Sequence, residues 1–269
     1  MTLPSFAIII PARFASTRYP GKPLVPLTGS TGEAKSLIRR SWECASAIED
    51  AVGVWVATDD ERIADEVRSF GGQVVMTDEQ CANGTERCAD AIARLGDVAD
   101  VIVNLQGDAP LSPAFVVKEL VRRLHEDADL VMTTPGLRCA RSTYEHLSED
   151  VANGRVGGTT VVFNRSDHAL YFSKRLLPFL PAQAEGQDFP PVHLHLGLYA
   201  YRPHALRLYA AAETSSLEQL EGLEQLRFLD IGQKVGVVQV DPLEWDSIEL
   251  NNPSDVATIE RILAQRGIA

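Results

Sequence analysis

Short apolar runs alternate with amphipathic segments through the first half of this chain, and that alternation restricts the fold more than any other feature. Phe6–Ile10, Val54–Thr58, Val74–Met76, Val101–Leu105 and Leu130–Thr133 read as strands. Between them, Glu33–Glu49, Glu61–Phe70, Gly84–Leu95 and Pro113–His125 read as helices. In the first of these, Leu37, Ile38, Trp42, Ala47 and Ile48 recur at near-helical spacing. Strands that are apolar throughout are buried on both faces, so the pattern predicts an α/β fold with a mostly parallel sheet covered by helices. Ligands of such sheets bind beyond the carboxyl ends of the strands. Three polar segments fall at such ends: Pro11–Lys22, Thr58-Asp59-Asp60 and Gln106-Gly107-Asp108.

The first of these segments carries Arg13, Ser16, Thr17, Arg18, Gly21 and Lys22. Fixed cations and backbone amides in such a loop can neutralise a triphosphate and stabilise a departing pyrophosphate. It is not a Walker A loop, because Gly21-Lys22 is followed by Pro23 rather than Ser or Thr. Nor is it a dinucleotide fingerprint, which needs three glycines where this loop has one. Asp108, facing such a loop, is placed to hold Mg²⁺, an ion that keeps its waters and needs only one or two protein carboxylates. Position alone would also suit a helix cap or a turn former. Asn83-Gly84-Thr85-Glu86-Arg87 stands at a loop-to-helix junction, where a helix N-terminus favours an anion or polar ligand.

Charge narrows the partners. Lys and Arg total 25 against 37 Asp and Glu, a net charge of -12. A chain this acidic is not built to bind nucleic acid broadly, so the basic loop is a local device. No apolar stretch reaches the length of a membrane span, and Met1–Ser5 lacks a signal-peptide pattern, so a cytoplasmic protein with no membrane partner is expected. Cys44, Cys81, Cys88 and Cys139 show no C-x-x-C spacing and read as free thiols.

The rhythm changes after about Gly136. Residues 140–196 hold short mixed segments, Gly158–Asn164 and Ala169–Phe172, then a polar stretch, Leu180–Pro191. A strand (Leu196–Tyr201), two helices (Pro203–Ala212 and Leu217–Ile231) and a strand (Val235–Val240) follow. The last helix is expected to begin near Asn252, with Asn252 as N-cap and Pro253 at the first helical position.

The run Pro11-Ala12-Arg13-Phe14-Ala15-Ser16-Thr17-Arg18-Tyr19-Pro20-Gly21-Lys22-Pro23-Leu24 resembles the loop PAR-x-AST-R-x-PGKPL of the 3-deoxy-manno-octulosonate (Kdo) cytidylyltransferase family. The resemblance extends over nearly the whole chain. Gln106-Gly107-Asp108-Ala109-Pro110 is similar to the family's Q-G-D-x-P, and Asn83–Arg87 to its S-G-T-E-R. His195–Arg202 is similar to H-x-G-I-Y-x-Y-R, and Leu217–Arg227 to L-E-x-x-E-x-L-E-Q-L-R. The resemblance implies a single domain over residues 1–269, a Rossmann-like (glycosyltransferase-A-like) nucleotidyltransferase, with a smaller sugar-binding and dimerisation subdomain inserted at about 140–196. It implies Mg²⁺, CTP and an acidic sugar as cofactor and substrates, and a homodimer.

Roles follow from the same resemblance. Arg13, Lys22 and Asp108 are the expected catalytic residues. Pro11, Ala12, Arg13, Ser16, Lys22, Asn83, Gly84, Thr85 and Gln106 would bind the nucleotide. Arg18, Arg87, Gln106, Lys174, His195, Tyr199, Glu221, Glu224 and Gln225 would surround the acceptor, with Arg87 and Lys174 as candidate partners for its carboxylate and His193 competing with His195. Arg18 would serve either phosphate or acceptor. Glu221, Glu224 and Gln225 can share much of one helix face.

Three departures stand out. The family's V-D-T-P-E-D reads Leu250-Asn251-Asn252-Pro253-Ser254-Asp255, so neutral Asn251 stands where a second metal-binding carboxylate is expected, and Glu249 or Asp246 could compensate. Lys174 replaces an arginine, keeping charge but losing a bidentate grip. Thr159-Thr160-Val161-Val162 lacks a lysine of the family pattern. The expected reaction joins CTP to an acidic 3-deoxy keto sugar with loss of pyrophosphate. Another keto-acid sugar, or a small phosphonate or carboxylate, is the alternative acceptor, and a non-catalytic nucleotide binder the alternative class.

Overall fold

The computed structural model describes residues 3–15, 19–245 and 248–269. They form two compact units, Met1–Lys118 with Leu243–Ala269, and Glu119–Pro242. The first contains β1 (Phe6–Ala12), a 3-10 turn (Lys22–Leu24), the hairpin β2 (Pro26–Thr28) and β3 (Ala34–Ser36), α1 (Leu37–Ser46), β4 (Ala51–Thr58), α2 (Glu61–Ser69), β5 (Gln73–Met76), α3 (Gly84–Leu95) and β6 (Val101–Leu105). Then α4 (Ala114–Glu126) crosses the boundary. The second unit holds β7 (Leu130–Arg138), α5 (Arg141–Ala152), β8 (Thr160–Phe163), β9 (Ala169–Ser173), α6 (Ala182–Glu185), β10 (His193–His195), β11 (Leu198–Tyr201), α7 (Pro203–Ala211), α8 (Ser216–Glu221), α9 (Leu226–Asp230) and β12 (Lys234–Val240). The chain closes with α10 (Asp255–Gln265) in the first unit.

In the first unit the strands run β5-β4-β1-β6, every pair parallel. The expected α/β class is what forms, because β1 and β6 are buried along their whole length and helices pack against the sheet they build. Helix α1 buries Leu37, Ile38 and Ala45, and α2 buries Ile63, Ala64 and Val67. A second cluster joins Ile259, Ile262 and Leu263 of α10 to Leu27, Leu37, Leu111 and Leu250. Arg40, buried beside it, donates to the carbonyls of Leu27, Glu33 and Ala269.

The second unit is built on β7. Strand β12 runs parallel along one side of it, and β11 and β10 follow one another antiparallel along the other. Strands β8 and β9 extend the sheet beyond β10. No helix among the described residues is long and apolar enough to cross a membrane.

Several element assignments change. The expected helix Glu33–Glu49 begins only at Leu37, because Ala34–Ser36 pairs with β2 and the Ser36 hydroxyl caps α1 by accepting from the Arg39 N–H. The expected strand Leu196–Tyr201 begins only at Leu198, as β11, because the Leu198 N–H donates to the Leu196 carbonyl in a tight turn that separates it from β10. The expected helix Leu217–Ile231 breaks at Gly222, which adopts φ +62° and caps α8 in the left-handed region. The last helix starts at Asp255 rather than behind an Asn252 cap, and the Asp255 carboxylate instead accepts the backbone N–H groups of Asn251 and Asn252.

Candidate functional site

The site begins at the carboxyl ends of β1 and β6. Pro11 and Ala12 end β1 buried, and Arg13 emerges exposed. Next to them Gly107 follows β6, where a Cβ would lie 2.7 Å from the Pro11 carbonyl oxygen, so only glycine permits this approach. The Gly107 carbonyl accepts from the Ser41 hydroxyl at 2.9 Å, and the Asp108 carbonyl accepts from the Leu250 N–H at 2.9 Å. Gly21, at φ +69°, turns the chain into the 3-10 turn that opens with Lys22. The Lys22 ammonium then meets the Asp108 carboxylate as a mostly buried ion pair.

Helix α3 supplies the next wall. The Asn83 side chain accepts from the Glu86 N–H at 2.9 Å, and the Glu86 carboxylate accepts from the Ala82 N–H at 2.8 Å. Asn83 thus caps α3, a task that asparagine and serine perform equally well. A Cβ on Gly84 would lie 3.3 Å from both Asn104 Nδ2 and Gln106 Nε2, and 3.4 Å from Pro11 Cγ. Gly84, Gln106 and Pro11 are thus assembled around one spot, with Thr85 buried behind them. Beneath them Asn104 is fully buried, and neither its Nδ2 nor its Oδ1 finds a partner among the described residues. An unpaired buried amide costs about 1–3 kcal/mol. In the sequence, its mark is one asparagine inside the otherwise apolar strand 101–105.

Arg87 has other partners than a bound carboxylate. It is 2% exposed, and its guanidinium donates to Thr77 Oγ1 at 2.6 Å and to Asp59 Oδ2 at 3.2 Å. It ties α3 to the end of β4.

Leu250 and the residues beside it are joined to Asp108 through the Leu250 N–H. Asn251 Nδ2 lies 3.5 Å from Glu249 Oε2. Among the described residues no group of three or more His, Cys, Asp or Glu could hold a metal ion. The oxygen donors present, the Asp108 and Glu249 carboxylates and the Asn251 amide, are of the kind that suits a hard cation bound through few protein ligands. Ser16, Arg18 and Asp246 lie outside the described residues.

The remaining expected residues belong to the second unit. Glu221 ends α8 and accepts from Ser173 Oγ at 2.7 Å, the Lys174 N–H at 2.9 Å and the Tyr171 hydroxyl at 3.4 Å. Burial would raise its pKa, but these hydrogen bonds outweigh it and hold the carboxyl below its ordinary value. The Lys174 Nζ lies 2.9 Å from where a Cβ of Gly222 would stand. The break at Gly222 removes the shared helix face expected for Glu221, Glu224 and Gln225. Glu224 is half-buried, whereas Gln225 is 1% exposed with Nε2 unpartnered among the described residues. Below them Arg227 grips Glu218 with Nε and Nη2 at 2.7 and 2.8 Å, and the Tyr209 hydroxyl donates to the same carboxylate at 3.0 Å.

His195 on β10 is set by its surroundings to be neutral. Burial pushes its pKa down to about 3. Thr134 Oγ1 donates to the Leu198 carbonyl at 2.9 Å and lies 2.9 Å from His195 Nε2. The hydroxyl proton is therefore committed, so Nε2 carries the ring proton and Nδ1 is left as an acceptor. Tyr199, buried, has its ring centroid 5.4 Å from that of His195. His193 packs instead against Phe163, edge to face at 4.8 Å.

Residues 7–235 match the family model described as Cytidylyltransferase. The 3-deoxy-manno-octulosonate cytidylyltransferase of Maricaulis maris is 42% identical over 98% of this chain and 98% of its own length. The 8-amino-3,8-dideoxy-manno-octulosonate cytidylyltransferase of Shewanella baltica is 38% identical over 96% and 98%. A solved structure of CMP:2-keto-3-deoxy-manno-octonic acid synthetase complexed with CTP superposes with a TM-score of 0.81 at 31% identity, covering 97% of this chain and 99% of that one.

Proposed function

The chain belongs to the 3-deoxy-manno-octulosonate cytidylyltransferase family, and from that premise we propose that it couples CTP to 3-deoxy-manno-octulosonate, giving the CMP-sugar and pyrophosphate. The observation that carries the reading is the ion pair between Lys22, in the basic loop after β1, and Asp108, at the end of β6. It puts a fixed cation and a metal-competent carboxylate together before any substrate binds, and phosphoryl chemistry depends on such preorganised charge.

Arg13 and Lys22 neutralise the triphosphate and the departing pyrophosphate. Pro11, Ala12 and Ser16 line the nucleotide, and Asn83, Gly84, Thr85 and Gln106 take its base and ribose. Mg²⁺ would be held by Asp108 and Asn251, with Glu249 within reach of Asn251, and supplies charge neutralisation at the phosphates. An acceptor hydroxyl oxygen attacks the α-phosphorus in line as pyrophosphate leaves. Lys174 and Arg18 serve the acceptor carboxylate. Neutral His195 offers Nδ1 to a sugar hydroxyl, and Tyr199, Glu224 and Gln225 complete its surroundings. Glu221, already accepting three hydrogen bonds, acts mainly by holding Lys174 and the end of β9. Arg87 shapes α3 rather than gripping the acceptor. A homodimer, as the resemblance implies, and a cytoplasmic location remain part of the reading.

The Shewanella relative favours a second acceptor, the 8-amino-3,8-dideoxy analogue. The test is pyrophosphate release with Mg²⁺, each of CTP, UTP, ATP and GTP, and both sugars. CTP with 3-deoxy-manno-octulosonate should turn over fastest. Equal rates with UTP would sink the cytidylyl reading, and preference for the amino sugar would move the acceptor.

A further inference from the structure

Both ends of the basic loop close on Phe14. Its carbonyl accepts the Gly21 N–H at 3.0 Å, which shuts the loop at its base. At Gly21 a Cβ would lie 3.1 Å from Phe14 Cζ and 3.3 Å from Cε2, so the absence of a side chain lets the ring rest against the backbone. Over the face of that ring lies the guanidinium of Arg62, its carbon 3.3 Å from the centroid. Arg62 stands in the first turn of α2 with its side chain 61% exposed. Asp60 orients it: Nε lies 2.9 Å from Asp60 Oδ1 and Nη2 2.6 Å from Oδ2. Asp60 is itself anchored as the N-cap of α2, accepting the Arg62 N–H at 2.9 Å.

A planar cation locked by a fork of two hydrogen bonds has one orientation to offer, and here that orientation is spent on the loop aromatic. We infer that Arg62, held by Asp60 and stacked on Phe14, is a positioning residue that fixes Phe14 and Gly21, and through these neighbours places Arg13 and Lys22 for the triphosphate. The inference rests on the reading of that loop as the triphosphate cradle. Arg62 touches no reacting atom. An exposed stack contributes little to global stability, so its effect should fall on local order and on CTP affinity rather than on folding.

Arg62→Ala, Arg62→Lys and Asp60→Asn test it, with Arg68→Ala as control. Arg68 lies on the same helix in exposed pairs with Glu61 and Asp65. Asparagine is as good an N-cap as aspartate, so Asp60→Asn keeps α2 while weakening the grip on Arg62. In the nucleotide-free protein, Arg62→Ala should speed exchange of the Gly21 amide by about tenfold with an unchanged Tm. Its KM for CTP should rise about three- to tenfold with kcat within about twofold. Arg62→Lys should not restore either property, because an ammonium lacks the stacking plane. Asp60→Asn should fall between, and Arg68→Ala should match wild type. Unchanged Gly21 exchange in Arg62→Ala overturns the inference, and full rescue by lysine overturns the stacking role in favour of bare charge. If wild type releases no pyrophosphate from CTP, the reading of the loop fails on its own, while the Gly21 exchange still decides whether Arg62 orders it.

Discussion

Lys22 and Asp108 are 86 positions apart in the chain, and their side chains form an ion pair at the meeting of the basic loop with the end of β6. Neither charge is fully exposed, so each sets the electrostatics of the other.

The pair defines the first prediction. Lys22→Ala and Asp108→Asn should each lose about 100-fold or more in kcat/KM, which is ~2.7 kcal/mol of transition-state stabilisation. Both should fold, because neither lies in the apolar core. Steady-state kinetics with CTP and acceptor checks this, and near-native rates in either variant would remove these roles.

Asn251 gives the second. An amide oxygen attracts Mg²⁺ less than a carboxylate, so Asn251→Asp should reach half-maximal rate at lower Mg²⁺ than wild type. The measurement is a magnesium titration at saturating CTP. An unchanged requirement places residue 251 away from the metal, unless Glu249→Gln raises it, which would show that Glu249 already supplies the charge.

The third concerns pH. His195 has a folded pKa near 3, below its ordinary 6.5, so the unfolded chain binds its proton more readily than the folded one. Its contribution to stability is present above about pH 6.5 and is lost as pH falls towards 3. Thermal melts across that window should show a shallower decline for His195→Gln than for wild type. Parallel curves would mean that the ring titrates normally.

The fourth concerns the elbow that carries Glu224 and Gln225. Arg227→Met leaves the buried Glu218 carboxylate without its opposite charge and should cost about 3–5 kcal/mol in denaturant unfolding. The double replacement Glu218→Leu with Arg227→Met should recover much of that loss, while raising KM for the acceptor if the pair also sets the elbow's shape. A double variant with wild-type acceptor KM would confine the pair to stability.

Local pattern made much of the fold legible. Strand 101–105 and helix 84–95 were readable to the residue, since burial on both faces and a 3.6-residue period leave direct marks in composition. Failures came where a short-range cue competed with a stronger one. Ala34–Ser36 sits in a helix-compatible stretch, yet pairing with β2 claims it. The motif 217–227 looked like one helix, yet Gly222 takes a left-handed conformation and divides it.

What the sequence determined alone was the class of fold, the strand ends where chemistry collects, and the residue types able to neutralise a triphosphate. Those properties follow from patterns a few residues long. Only the tertiary structure decided partners: Lys22 with Asp108, Arg87 with Thr77 and Asp59, Arg62 over Phe14, Glu221 with Ser173 and the Lys174 backbone. Most of these contacts join segments distant in the chain, and a charged side chain carries no local mark of which opposite charge, hydroxyl or ring will lie within its reach once the sheet is assembled.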